Sequence, residues 1–143
     1  MSFDLQIING DLAISNTGDL AIVEDTQKLI QDILKMCITQ AGALPFYPWY
    51  GSAIGKTLIG NVYDDRFLTS TSTSQLTSSL NNLKSLQLEQ AKTSQPITPG
   101  EHIAAIQNVV VQRSTNDPRY FAVFVSVITK ALTKANTSFN VGL

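Results

Sequence analysis

Few residues of this chain could do chemistry, and the most suggestive group is Gly51-Ser52-Ala53-Ile54-Gly55-Lys56-Thr57. A glycine-rich loop ending in Gly-Lys-Thr can wrap a phosphate with backbone N–H groups and set the lysine on its oxygens. That motif carries four residues between its glycines and follows a buried apolar strand. Here three intervene, Tyr50 stands where the first glycine belongs, and the preceding segment is rich in proline and aromatics. The spacing argues against phosphate binding, and a small nucleotide-binding enzyme using Gly55-Lys56-Thr57 is kept only as the catalytic alternative. His102 is the one histidine, and it follows Glu101 without a further ligand or triad partner; such a pair reads as hydrogen-bonded or solvated at the surface. Cys37, the single cysteine, has no internal disulfide partner and falls on an apolar helix face, where a thiol serves as a small core hydrophobe. No catalytic residue, metal ligand or cofactor site is nominated, because nucleophile, base and stabiliser cannot all be named.

The segment 39–60 organises the elements around it. A helix stops near Gly42, Pro45 and Pro48 forbid more helix, and Phe46, Tyr47, Trp49 and Tyr50 crowd the same five positions. Such a knot reads either as a plug for the core or as an anchor for a partner, with Trp49 and Tyr50 the anchoring residues; the plug is the more ordinary use of aromatics. Gly51-Ser52 then forms a joint, with Ser52 a possible N-cap for a short helix over 53–59.

Before this segment, Gly10-Asp-Leu-Ala-Ile14 recurs as Gly18-Asp-Leu-Ala-Ile22, with turn signals at Asn9-Gly10 and Asn16-Thr-Gly18. Alternating Leu5/Ile7, Leu12/Ile14 and Leu20/Ile22 predict a β-meander with its apolar face inward. Asp25 or Thr26 should cap a helix whose stripe is Leu29, Ile30, Ile33, Leu34, Cys37 and Ile38, with Lys28, Gln31, Asp32 and Lys35 opposite. Asp64 and Asp65 can open another helix. The run 69–74, TSTSTS, reads as a loop or frayed connection, and Leu76, Leu80, Leu83 and Leu86 or Gln87 predict a helix to about Lys92. After Pro96 and Pro99, 103–113 and 119–130 form a hairpin across the turn Ser114 to Pro118. Its second strand is apolar on both faces: Phe121, Val123, Val125 and Val127 on one, Tyr120, Ala122, Phe124 and Ile128 on the other. Residues 137–142 suggest a last short strand. The expected fold is a single α+β domain over 1–143, with an N-terminal β-meander, two or three helices, and a C-terminal antiparallel hairpin forming a small sheet on the helices.

Of the 143 residues, 43% are apolar and 15% charged, well below the roughly 25% of an average domain. The net charge is −1 and no Lys/Arg cluster exists, so nucleic acid is not expected as a partner. The start, MSFDLQI, lacks the basic and apolar regions of a signal peptide, and no apolar run is long enough to span a membrane; synthesis in a host cytoplasm without membrane insertion is expected.

The helix ending in Thr39-x-x-Gly42, the Pro-aromatic run with Tyr50-Gly51-Ser52, the Gly-Asp-Leu repeats and the Gln31-Asp32 pair resemble the baseplate wedge, or sheath-initiator, proteins of contractile phage tails, a family with a relative in type VI secretion baseplates. The family's Glu-Pro-Arg before its strand pair stands here as Glu101-His102-Ile103. The resemblance implies a non-enzymatic virion component of the tail baseplate, present in six copies or a small multiple around the tail tube. Its implied partners are the sheath protein and other wedge proteins, and its implied action is to offer a sheet edge to a sheath strand. Glu101 and the hairpin residues Tyr120, Phe121, Val123, Val125 and Val127 are then the interaction residues beside Trp49 and Tyr50.

Overall fold

Helix α1 (Asp25–Ile38) is covered on two sides by different chemistries, and the rest of the molecule is arranged about it. The computed structural model describes residues 2–59, 63–93 and 96–142. Strands β1 (Phe3–Leu5), β2 (Ile7–Ile8), β3 (Asp11–Leu12) and β4 (Ile22–Glu24) precede α1. Helices α2 (Ile54–Leu58) and α3 (Asp65–Gln90) follow it, and β5 (Ile103–Arg113), β6 (Tyr120–Thr129) and β7 (Lys134–Gly142) close the chain. The fold is a mixed α+β one, with its helices on one face of a three-stranded antiparallel sheet ordered β5-β6-β7.

Alternation along β6 builds the core. Phe121, Val123, Val125 and Val127 point to one face and are at most 3% exposed. They meet Leu29, Ile33, Met36 and Cys37 of α1, Leu68, Leu76, Leu80 and Leu83 of α3, and Ile54 and Leu58 of α2 in one cluster. Burial pushes the Cys37 thiol up to about 12, so it stays protonated as a core atom. The last strand is longer than 137–142 and pairs with β6 in unbroken register from Tyr120↔Gly142 to Ile128↔Lys134. This corrects the reading of the apolar hairpin as an open acceptor: β6 is the central strand, with both edges paired.

Helix α3 runs straight through the TSTSTS segment, against the loop predicted there. The hydroxyls that compete with helix bond back onto it: Thr69 donates to the Asp65 carbonyl (2.8 Å), Thr77 to that of Thr73 (2.8 Å) and Ser79 to that of Gln75 (3.0 Å). Leu68, Ser72, Leu76, Ser79, Leu80, Leu83 and Gln87 fall on its buried side, where the small serines let the helix lie close to its neighbours. Packing overrides propensity here. The caps also differ from expectation. Neither Asp25 nor Thr26 caps α1 with its side chain; Asp25 is its first residue, at φ 51°, and accepts a hydrogen bond from the Thr98 hydroxyl (2.7 Å). The helix ends at Ile38, short of Gly42.

The N-terminal strands are folded inside out relative to the meander predicted. Asn9 (φ 53°) and Gly10 (φ 83°) make the tight turn, β2 pairs with β3, and β1 pairs with β4 rather than with its neighbour in sequence. Gln6 joins the two ladders, donating to the Ala21 carbonyl and accepting from the Ala13 N–H, both at 2.9 Å. What this unit lays on α1 is the helix's polar face. The Gln31 amide donates to the Leu5 carbonyl (2.8 Å) and to Asp4 Oδ2 (3.0 Å), while its oxygen accepts from the Ile7 N–H (3.0 Å). Lys35 bridges Asp4 and Asp32 (3.1 Å to the latter), and Lys28 pairs with Asp32 at 2.8 Å. Because these groups satisfy one another, the polar side of the strands turns inward. Most of the alternating apolar side chains then face solvent.

A second polar clamp holds the entry to β5. Gln87, buried in α3, donates to the Glu101 carbonyl (2.7 Å) and accepts from the Ile103 N–H (2.9 Å), satisfying two interior backbone groups with one amide. Gln87→Ala orphans both and should lower stability by roughly 2–4 kcal/mol in urea melts, against about 0.5 or less for Leu88→Ala on the exposed side of the same helix. The strand unit is held more weakly. Burial of Asp4 favours its neutral form, but the hydrogen bond and charge of Lys35 outweigh this and hold the carboxyl below its usual value. A depressed folded-state pKa stabilises above the unfolded value of about 3.9 and is lost as pH falls through the folded one. Asp4→Asn should therefore speed amide exchange at Gln6 near neutral pH, by about 1 kcal/mol of opening energy or less since the pair is a third exposed, leave β6 amides unchanged, and make no difference in strong acid.

Candidate interaction surfaces

Residues 40–52 form a closed loop at the C-terminal end of α1, and one glycine makes the closure possible. Gly51 sits at φ 104°, where a Cβ would collide with the Thr39 carbonyl. Its N–H donates to the Met36 sulfur (3.2 Å), and its carbonyl accepts from the buried Ser79 hydroxyl (2.9 Å). Ser52 does not cap α2 as predicted; its hydroxyl donates to the Cys37 carbonyl at the end of α1 (2.6 Å) and its N–H to that of Thr39 (2.8 Å). With both ends pinned, successive turns at 40–43, 44–47 and 47–50 hold the rings outward.

The knot is therefore not a plug. Phe46 is 90% exposed, Tyr47 57% and Trp49 45%. Only Tyr50 packs on the core, and burial raises its phenol above the ordinary value. Trp49 stands edge-on to both Tyr47 and Tyr50, with ring centres 6.1 and 6.4 Å apart. It separates two shallow apolar grooves against α3. One, of about 340 Å³, is lined by Leu44, Tyr47, Trp49, Tyr50 and Leu86; the other, of about 250 Å³, by Trp49, Asn82, Ser85, Leu86 and Glu89. Rings fixed on a pinned loop and half open to water can anchor a partner without first being ordered.

The second surface is the free edge of the sheet. The Ser114 N–H donates to the Tyr120 carbonyl and the Thr129 N–H to that of Thr133, which fixes the alternation of the ladders. The N–H groups of even-numbered β6 residues face β5 and those of odd-numbered ones face β7, so Asn136, Ser138 and Asn140 of β7 point their backbone groups outward. Their side chains are exposed and uncharged. The β5 edge is interrupted by two register shifts, whereas β7 is regular. Beside its end lies a groove of about 310 Å³ lined by Ile38, Gln40, Ile54, Ile59 and Val141 among others.

The remaining predicted interaction residues lie elsewhere. Phe121, Val123, Val125 and Val127 are interior, and their strand is paired on both sides, so neither side chain nor backbone is open to a partner. Tyr120 is half-buried on the outer face. Glu101 and His102 are 2% and 5% exposed, not a surface pair; Glu101 Oε2 accepts from the Thr98 N–H (2.8 Å) inside the loop that Gln87 clamps. Gly55-Lys56-Thr57 lies within α2, and the Thr57 hydroxyl donates to Gln75 (3.0 Å) rather than facing a phosphate cradle. Among the described residues, no three His, Cys, Asp or Glu gather where a metal could sit, and no helix is long and apolar enough to cross a membrane. Sequence reasoning placed only 137–142 in the last strand and missed its free edge and Ile38; Lys134, Ala135 and Asn136 are weak β-formers, and which edge stays open is set by strand pairing. Because Trp49 lies half outside, Trp49→Ala should lower stability by only about 1 kcal/mol in thermal melts, well short of the roughly 3–5 kcal/mol of a core ring.

No family model matches the chain, and none of the curated proteins does. Among solved structures the fold is similar to that of a Geobacter sulfurreducens protein named "putative tail lysozyme", with a TM-score of 0.58 at 10% identity, covering 93% of this chain and 96% of that one. At that identity the likeness is one of fold, and it extends over nearly the whole of both chains.

Proposed function

We propose that this protein is a structural component of a contractile phage-tail baseplate, which links the wedge to the first sheath ring by accepting a sheath strand. The observation that carries the reading is the β7 edge, regular and uncharged at Asn136, Ser138 and Asn140, with a groove of mixed polar and apolar lining beside its end. An added strand gains backbone hydrogen bonds along the edge, and side chains in the groove set its register. Natural edges are usually blunted by lysines, prolines or bulges, and this one is left open in its middle. The aromatic loop, on the opposite side of α2 in sequence, supplies an anchor for the wedge proteins. Six copies or a small multiple around the tube follow from this reading, and a type VI secretion baseplate is its near variant. The fold neighbour's name also belongs to tails.

That name further raises glycan cleavage, which needs two carboxylates flanking a sugar-sized groove. Asp25 and Glu101 share the Thr98 hydroxyl, at 2.7 and 3.2 Å, but neither lines the grooves described above. The mechanical reading is accordingly the stronger.

Proline separates the free edge from the paired one. Ser138→Pro removes an N–H that points outward, so the domain should melt near the wild-type temperature while baseplates carrying it stay bare of sheath. Thr137→Pro removes a ladder bond to β6 and should unfold the sheet. Normal sheath assembly on baseplates containing folded Ser138→Pro protein would overturn the strand-acceptor reading.

A further inference from the structure

The inverted N-terminal strands leave a surface that neither the fold nor the sheath reading uses. Residues directly opposite in an antiparallel ladder share a face, and Ile7 lies opposite Leu12, Leu5 opposite Ile22, and Ile14 opposite Leu20. Phe3, Ile7, Leu12, Ile14, Leu20 and Ile22 are between 44% and 70% exposed. Their unit is braced onto α1 through its other side by Asp4, Gln31 and Lys35. Scattered exposed apolar residues are ordinary, but a contiguous face built from paired strands marks a place where another molecule sits.

Charge decides among the molecules that could cover it. Asp4, Asp11, Asp19, Glu24 and Asp25 give the first 25 residues five carboxylates, and none of the chain's ten Lys and Arg lies among them. Lys35 neutralises Asp4 on the inner side. Glu24, opposite Phe3, shares the apolar face, while Asp11 and Asp19 are exposed beside the two turns. A second copy laid on this face would bring acidic rim to acidic rim, and an anionic membrane surface would be repelled.

We infer that this face docks a second protein through an apolar surface rimmed by lysine and arginine, burying Ile14 and Leu20 and pairing its cations with Asp11, Asp19 and Glu24. The surface is built by the strand unit alone and exists whether or not the sheath reading holds.

The test places a photoreactive benzoyl-phenylalanine at Ile14 in the full chain, produced in its native host, with the same group at exposed Asn116 in the β5–β6 turn as control. After irradiation the cross-linked peptides are sequenced. The expected adduct joins position 14 to a different protein, at a segment whose apolar residues are interleaved with Lys or Arg, and is absent at position 116. Combining the probe with Asp11→Lys and Asp19→Lys should cut the adduct yield about tenfold or more, with the melting temperature unchanged because both carboxylates are exposed and make only local contacts. An adduct to a second copy of this chain, to lipid or to an acidic segment, a yield indifferent to the charge reversal, or no adduct specific to position 14 would each overturn the inference.

Discussion

Much that is distinctive about this molecule follows from α1 being covered on two sides at once. Its apolar side meets the β6 valines and α3 and supplies the hydrophobic stabilisation of the domain. Its polar side does what helix polar sides usually leave to water: Gln31 and Lys35 bind the backbone and carboxylate of the first strand. A half-buried amide or ammonium group loses water on one side and must find partners there or cost stability, and here each finds them in the other layer. That requirement turns the strand unit over and sends its apolar side chains outward. The same helix fixes the aromatic loop, since Met36, Cys37 and Thr39 at its end receive the bonds from Gly51 and Ser52.

The result is a small protein with a well-made core and an unusual exterior. Large apolar side chains stand in water on the aromatic loop and on the N-terminal strands, while the outer edge of β7 is neutral at its centre. None of this improves the isolated fold: exposed rings bury little area and open strand edges invite pairing. The low charge fraction points the same way, because a surface meant to remain in solvent is normally kept apart from its neighbours by charge. The buried apolar side chains are concentrated in the β6–α1–α3 layer. Glu101 holds the loop before β5.

Parts of this were legible in the residues alone. The stripe of α1, the Asn9-Gly10 turn, the Leu76-Leu80-Leu83-Gln87 spacing and the β-branched runs of β5 and β6 each state their conformation within a few residues, because helix and strand periods and turn dihedrals are local properties. Which side of an amphipathic element turns inward is not local. The strands 3–24 alternate in a way that permits either face to be buried, and the Asp4–Gln31–Lys35 contacts across 27 to 31 residues, with Val23 buried beside Ile30 and Leu34, decide it. The TSTSTS run is a poor helix former and reads as a loop, and the layer beneath it makes it helix. The aromatic segment is apolar enough for a core, yet Gly51 and Ser52 pin both its ends to a helix terminus at the surface. Local periods and turn residues determined most of the elements; long-range pairing, which outweighs fractions of a kilocalorie of propensity, decided the helix through TSTSTS, the length of β7 and which face each element presents.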